Sequence, residues 1–465
     1  MHPSSTVFLR LWNNLLIFVA AVCAPMTSSH AAPAVVDQAV ADEAAAKGPT
    51  GNKPERVAAF QDLALGMFIH WSVDSQLGSV ISHHMVGGSH DYNERFIREM
   101  PKTFNPRRYD PGEWAALAKL CGFRYAVFTT KHHSGFCMFH TKTTDFSIEH
   151  TPYGRDISRM YADAFRGQGL GMGFYFSPDD FHVLHRQGIP VSRHAPGGDD
   201  RVLPTKNPEL MKHNLAQIRE LYSNYGAVDF LFIDGQPDGI RELAWELQPD
   251  TLVTRGAMAT PEQKLPDTAP DGPWEACFTL GTQWQFKPTN EEYKSGTELI
   301  NMLIETRAKG GNLLLNVGPE PSGVIPFEQE RIIRELGLWL SINGEAIYGV
   351  RPWHKVREDK VWFTRSAREP GTMYAFLTGL PDWKRGTRKS FVLKSVRATA
   401  ATTISVLGHD GVVLEYSPKV DPAPKFEQKD DGLHLDVMRA QRIYNNSKWP
   451  NPIVVKLTAV EPAGE

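Results

Sequence analysis

"VDFLFIDGQPDG", residues 228–239, runs from an apolar stretch straight into an acid: Val228 and Phe230–Ile233 lead to Asp234, and glycine follows at once. A short apolar run bounded by turn residues reads as a core strand, so the carboxylate stands where that strand leaves the core. Similar runs lie on either side: "LGMFIHW" (65–71), "YAVFTTKHH" (125–133), "GMGFYFSP" (171–178), "TLVTRG" (251–256), "WEACFTLG" (274–281) and "NLLLNVGP" (312–319). The stretches between them, such as "DISRMYADAFRGQG" and "PELMKHNLAQIRELYSNYG", open with Asp or Pro and close with Gly, the start and stop signals of helices. Near-continuous apolar strands joined by helices imply a parallel sheet covered on both faces. The fold class expected is therefore α/β, a (β/α)8-like TIM barrel over residues 56–350 whose eighth strand is weak or missing. An open doubly wound sheet is the alternative, but no glycine-rich phosphate loop follows any of the strands. After "YGVRPW" (348–353) the texture changes to short β runs separated by turns. Residues 351–465 read as a C-terminal antiparallel β-sandwich, which either binds carbohydrate or braces the barrel.

The bulk numbers exclude some classes. A net charge of −3 over 465 residues is not the basic field that a nucleic-acid partner requires. Arg10, the apolar "LLIFVAAVCA" (15–24) and the small residues of "SSHA" (28–31) have the layout of a secretory signal peptide over 1–31. An Ala-rich flexible leader over 32–55 follows. The expectation is an exported protein, periplasmic or secreted, with no membrane span, since the apolar core is too short for one. Once Cys23 leaves with the signal peptide, the mature chain would keep Cys121, Cys137 and Cys277, an odd number and not a disulfide framework. With no CxxC pair and no HExxH there is no ready zinc signature, and no cofactor is assigned from the sequence.

In a barrel the active site forms at the C-terminal ends of the strands. The polar residues that end these runs are His70 and Trp71, then Lys131, His132 and His133, then Tyr175 with Ser177, Asp179 and Asp180, then Asp234, Arg255 and Asn316. Trp274 and Glu275 open the sixth run. Two carboxylates among His, Trp, Tyr and Arg are the equipment of glycoside hydrolysis, in which one acid protonates the leaving oxygen and the other attacks C1 or activates water. A hydrophobic neighbour such as Trp274 would raise the pKa of Glu275 for the acid role. Adjacent His132 and His133 cannot both face inward along a regular strand, so one of them is structural or the strand bends there. No G-x-S-x-G elbow and no P-loop is present.

"GMFIHW", "KHHSGF", "FLFIDG", "WEACFTLGTQW", "GGNLLLNVGP" and "NGEAIYGVRPW" together resemble, in this order, the α-L-fucosidases of glycoside hydrolase family 29. The likeness implies a retaining, metal-independent exo-glycosidase that releases terminal α-L-fucose from a fucosylated oligosaccharide or glycoconjugate. It places the nucleophile on Asp234 and the acid/base on Glu275, with Asp179, Asp180 or a loop residue such as Glu94 as alternatives. It assigns sugar contacts to His70, His132, His133, Tyr175, Arg255, Trp71 and Trp274, and Lys131 is read as neutralising a nearby carboxylate. One stretch departs from the pattern. Where many relatives carry a Glu-Trp pair after strand one, this chain reads "VISHHMVGGSHDYNERF" (80–96), so His83 or His84 would take over hydroxyl recognition. The competing readings are an α-L-galactosidase, which differs by one substrate hydroxyl that an apolar pocket rejects weakly, and a catalytically silent fucose-binding protein.

Overall fold

The computed structural model describes residues 50–441 and 450–464. The signal peptide read at 1–31 and the leader up to residue 49 lie outside the described residues. Seven parallel strands form one sheet: β1 (Leu65–Ile69), β2 (Tyr125–Lys131), β3 (Gly171–Phe176), β4 (Phe230–Ile233), β5 (Leu252–Val253), β6 (Glu275–Thr279) and β7 (Asn312–Val317). Their order is β5-β4-β3-β2-β1-β7-β6. Side chains alternate across a strand. Phe68, Tyr125, Val127, Tyr175, Phe232 and Cys277 fill the inside of the curl, while Met67, Phe128, Phe174, Ile233 and Leu315 pack outward against the helices. Both faces are buried, which is why these strands look almost uniformly apolar in the sequence. The interior is filled by rings set against glycines. A Cβ on Gly66 would lie 2.3 Å from the Tyr125 ring, and one on Gly171 2.7 Å from Phe230.

The N-terminal end of the barrel is plugged. Helix Pro54–Leu63 inserts Phe60 against Tyr125 and Phe230, with centroids 5.6 and 5.7 Å apart. The last residues of the supposed flexible leader are not loose. Asn52 is buried and forms a two-way amide pair with Val253, donating to its carbonyl at 2.8 Å and accepting from its N–H at 2.8 Å. A side-chain amide thus satisfies the open edge of β5, as buried backbone groups require.

The eighth strand, expected to be weak or missing, is absent from the sheet of the described residues, and a seam takes its place. β5 stops at Val253, short of the expected residue 256, because the chain turns there: Ala257 and Met258 both donate to the Thr254 carbonyl. The chain then runs between β5 and β6 through the parallel bridges Arg255–Met258, Ala259–Trp274 and Glu262–Cys277. Pro261 within this segment has no N–H to give a ladder, so the contact remains a row of single bridges and no strand forms.

Beyond the barrel, β8 (Val350–Glu358), β9 (Val361–Ser366), β10 (Met373–Leu377), β11 (Arg388–Leu393), β12 (Val396–Val406), β13 (Lys425–Lys429), β14 (Gly432–Met438) and β15 (Ile453–Pro462) make two sheets. Their orders are β12-β15-β10-β9-β8 and β11-β14-β13. Trp353, Phe363, Leu377, Leu433 and Val455 form the core between them, so the expected sandwich is present. The other face of the larger sheet, through Trp362, Phe376 and Val454, joins the barrel's own outer core. Trp339 of helix Phe327–Asn343 lies 6.4 Å from Phe376 and donates to the Pro452 carbonyl at 2.7 Å. No helix among the described residues is long and apolar enough to cross a membrane.

Candidate active site

At the C-terminal ends of the strands the structure gathers His70, His132, His133, Tyr175, Asp234 and Arg255. Asp234 directly follows β4 and holds four neighbours. Its Oδ1 accepts from Arg193 Nη2 at 3.0 Å and Arg255 Nη1 at 3.3 Å, and its Oδ2 accepts from the Tyr175 hydroxyl at 2.7 Å. His133 Nε2 stands 3.5 Å from Oδ2. Burial alone would raise the pKa of this acid. The guanidiniums of Arg193 and Arg255, with the Tyr175 hydroxyl, outweigh it and hold the carboxyl well below the usual range.

The histidines are held neutral and aimed. Burial lowers His70 to about 4 and pushes His132 and His133 well below their ordinary value. Asn316 donates from Nδ2 to the Trp284 carbonyl at 2.5 Å, so its Oδ1 must be the atom that accepts from His70 Nδ1 at 2.7 Å. The Ser177 hydroxyl donates to the Asp179 carbonyl at 3.2 Å and accepts from His133 Nδ1 at 2.6 Å. In both rings Nδ1 carries the proton, which leaves Nε2 as an acceptor for a hydroxyl hydrogen. The neighbouring histidines share the pocket because the strand bends: the β2–β3 register shifts between Thr129 and Lys131. His132 then lies parallel to Tyr175 at 5.2 Å, its Nδ1 2.8 Å from Ser82 Oγ.

Several expected contacts lie elsewhere. Trp71 is fully buried in an aromatic cluster with Phe104, Tyr109 and Trp114, all within 5.7 Å; it is a core residue and not a sugar contact. Trp274 points outward from β6, its indole beneath Gly311 and donating to the Lys309 carbonyl at 3.3 Å. The apolar wall comes from Trp284 instead, half-buried in the loop after β6, 4.8 Å from His70 and 5.8 Å from Phe68. The expectation that Glu275 shares the rim with Asp234 does not hold. Glu275 opens β6 opposite Asn312, the first residue of β7, and accepts a hydrogen bond from Tyr125, the first residue of β2. It therefore sits at the plugged end of the barrel interior, beneath Cys277, with no exposure. Its burial there raises its pKa to about 7, in the expected direction, while the Trp274 indole points to the opposite face.

The alternative acids sort differently. Asp180 caps helix Phe181–Arg186 by accepting from Val183 N–H at 2.9 Å, and it meets Lys131 at 3.3 Å, which gives that lysine its carboxylate. Glu94 pairs with His185 at 3.1 Å. Asp179 receives Arg193 Nε at 2.8 Å, and burial raises its pKa above the usual value despite that partner. A carboxylate not foreseen from the sequence, Glu262 on the barrel seam, accepts from Arg255 Nη2 at 2.8 Å. The result is a row of alternating charge, Asp179–Arg193–Asp234–Arg255–Glu262. Glu262 and Asp234 bind the two Nη atoms of one guanidinium, so two hydrogen bonds and the width of that group bound their separation. Within the departing stretch 80–96, His84 is used internally, with Nδ1 2.8 Å from the Tyr92 hydroxyl and Nε2 3.4 Å from Asp74. His83 is exposed, its ring 5.3 Å from His133.

The signals for the missed residues were slight. Trp284 lies in "GTQW", past the end of the sixth apolar run, where no strand pattern marks it as an apolar wall. Arg193 and Glu262 lie in long connections with no apolar periodicity to place them.

A family model described as Alpha-L-fucosidase matches residues 36–345 of the chain. An α-L-fucosidase of Branchiostoma floridae is 28% identical over 399 residues, covering 75% of this chain and 84% of that protein. Human tissue α-L-fucosidase is 28% identical over 403 residues, covering 76% and 81%. Among solved structures, α-L-fucosidase isoenzyme 1 from Paenibacillus thiaminolyticus superposes with a TM-score of 0.70 at 29% identity, over 88% of this chain and 99% of that one. A Thermotoga maritima α-fucosidase shares the fold, with a TM-score of 0.67 at 24% identity over 86% and 96%.

Proposed function

The chain belongs to the α-L-fucosidase family of glycoside hydrolases, and from that premise we propose that it removes terminal α-L-fucose from fucosylated glycans by double displacement, with Asp234 as nucleophile and Glu262 as acid/base. The observation that carries the reading is the shared guanidinium. Arg255 holds Asp234 and Glu262 on its two Nη atoms, a spacing compatible with the roughly 5–5.5 Å of a retaining pair. Glu262 also keeps 28% of its side chain exposed, so it faces solvent, where both the departing alcohol and the incoming water must pass.

The oxygen that attacks is Oδ2. Both lone-pair directions of Oδ1 are taken by guanidiniums. Oδ2 has only the Tyr175 hydroxyl, because neutral His133 turns an acceptor nitrogen towards it. In the first step Oδ2 bonds to C1, the glycosidic bond breaks, and Glu262 gives its proton to the leaving oxygen. In the second, water adds to C1, Glu262 takes its proton, and the electron pair of the C1–Oδ2 bond returns to Asp234. The Nε2 atoms of His70 and His133 accept sugar hydroxyls, and Trp284 packs on the apolar face.

Asp234→Ala is expected to lose turnover, with azide restoring it as β-fucosyl azide. Glu262→Ala is expected to spare aryl fucosides with good leaving groups and to lose those with poor ones. Asp179 is the second reading, because burial raises its pKa as an acid requires; the leaving-group dependence moving to Asp179→Asn and not to Glu262→Ala would select it. We further propose export, with the mature chain beginning at Ala32; N-terminal sequencing of protein recovered outside the cytoplasm checks it.

A further inference from the structure

We infer that Arg193 is a positioning residue for the second half-reaction, a cation that draws charge back onto Asp234 as the fucosyl ester breaks down. The inference rests on Asp234 being the nucleophile. Arg193 belongs to the irregular connection between helices Phe181–Arg186 and Pro208–Asn224. Its Nε binds Asp179 Oδ2 at 2.8 Å and its Nη2 binds Asp234 Oδ1 at 3.0 Å, with 19% of the side chain exposed. Asp179 is itself buried, so the guanidinium is anchored from behind and presents one edge to the nucleophile.

This has an asymmetric effect on the two steps. When Oδ2 is bonded to C1, Asp234 is a neutral ester and Oδ1 is its carbonyl oxygen. A cation on Oδ1 favours the carboxylate over the ester, because charge-assisted hydrogen bonds are the stronger kind. It therefore makes Asp234 a better leaving group while making it a weaker nucleophile. Arg255 acts in the same sense but is tied to the acid/base, whereas Arg193 is tied to Asp179. Each guanidinium keeps one anion while Asp234 is esterified, so neither is left as an unpaired buried charge.

Removing Arg193 is thus expected to slow breakdown of the intermediate more than its formation. With a dinitrophenyl α-L-fucoside, Arg193→Met should show a pre-steady-state burst of phenol close to one equivalent. Its kcat should fall about 10- to 100-fold, the loss of one hydrogen bond to a charged group, and KM should fall in parallel. Millimolar guanidinium ion should restore part of kcat, and Arg193→Lys, which keeps the charge, should lie between the two. A variant with no burst and an unchanged KM overturns the inference, whether kcat is lowered or not. The underlying reading is checked separately by labelling the wild type with 2-deoxy-2-fluoro-fucosyl fluoride and locating the adduct by mass spectrometry. An adduct away from Asp234 overturns both, whereas an adduct on Asp234 without a burst in the variant overturns only the role of Arg193.

Discussion

Replacing Glu275 by glutamine tests where this acid works. Glu275 is fully buried, its Oε1 accepts from Tyr125 and its Oε2 has no partner among the described residues. That environment raises its pKa from 4.5 to about 7. The unfolded chain therefore releases this proton at lower pH than the folded one. The favourable term is complete below about pH 4.5 and is lost as pH rises through about 7. A difference of 2.5 pKa units at 1.36 kcal/mol each is about 3 kcal/mol. Glutamine keeps the shape and an acceptor for Tyr125 without the titration. Relative to wild type, Glu275→Gln should therefore gain stability as pH rises from 4.5 to 8, by about 3 kcal/mol. That is about 4 °C in melting temperature for a cooperative unit of about 400 residues. The assay is the difference in melting temperature between the two proteins at each pH, with turnover of an unactivated fucoside measured alongside. Turnover should stay within about tenfold, because one layer of the barrel interior lies between Glu275 and the rim. A flat stability difference, or a thousandfold loss of turnover confined to poor leaving groups, would refute the placement of this acid as structural.

Lys131→Met should destabilise the protein by about 3 kcal/mol by taking the lysine away from buried Asp180, which keeps only His213 at 3.4 Å and the Val183 N–H. Adding Asp180→Asn, which still caps Val183, should recover part of that in chemical denaturation. Gly66→Ala would drive a Cβ to 2.3 Å from the Tyr125 ring and should cost about 1–3 kcal/mol by overpacking, partly relieved by Tyr125→Leu in the same denaturation assay. His70, whose pKa falls to about 4, acts in the opposite sense to Glu275. The unfolded chain binds its proton first as pH drops, so stability declines from about pH 6.5 to 4. His70→Gln should remove about 3 kcal/mol of that decline, seen as a flatter acid side of the melting-temperature profile.

The strands, their order of appearance and Asp234 were legible because a parallel sheet buried on both faces writes itself as apolar runs ending in polar residues. The same reading misled at β6. A strand has two ends, and "WE" marks the N-terminal one, whereas the quoted "GTQW" lies past the C-terminal one. Near the N-terminus an Ala-rich stretch has the composition of a slack leader, and only the pairing of Asn52 with Val253, 201 positions away, shows its last residues to be fastened. Glu262 and Arg193 were hidden for a related reason: their positions follow from what they touch across the fold and not from any local period.

The two acids of the proposed pair are mounted differently. Asp234 is fixed at the tip of a strand paired on both sides, while Glu262 rides on the single-bridge seam between β5 and β6. Opening that seam by heat, pressure or a wedged side chain would pull the proton donor from the glycosidic oxygen and leave the fucose cradle intact. The enzyme would then still bind its sugar while protonation and attack fell out of step.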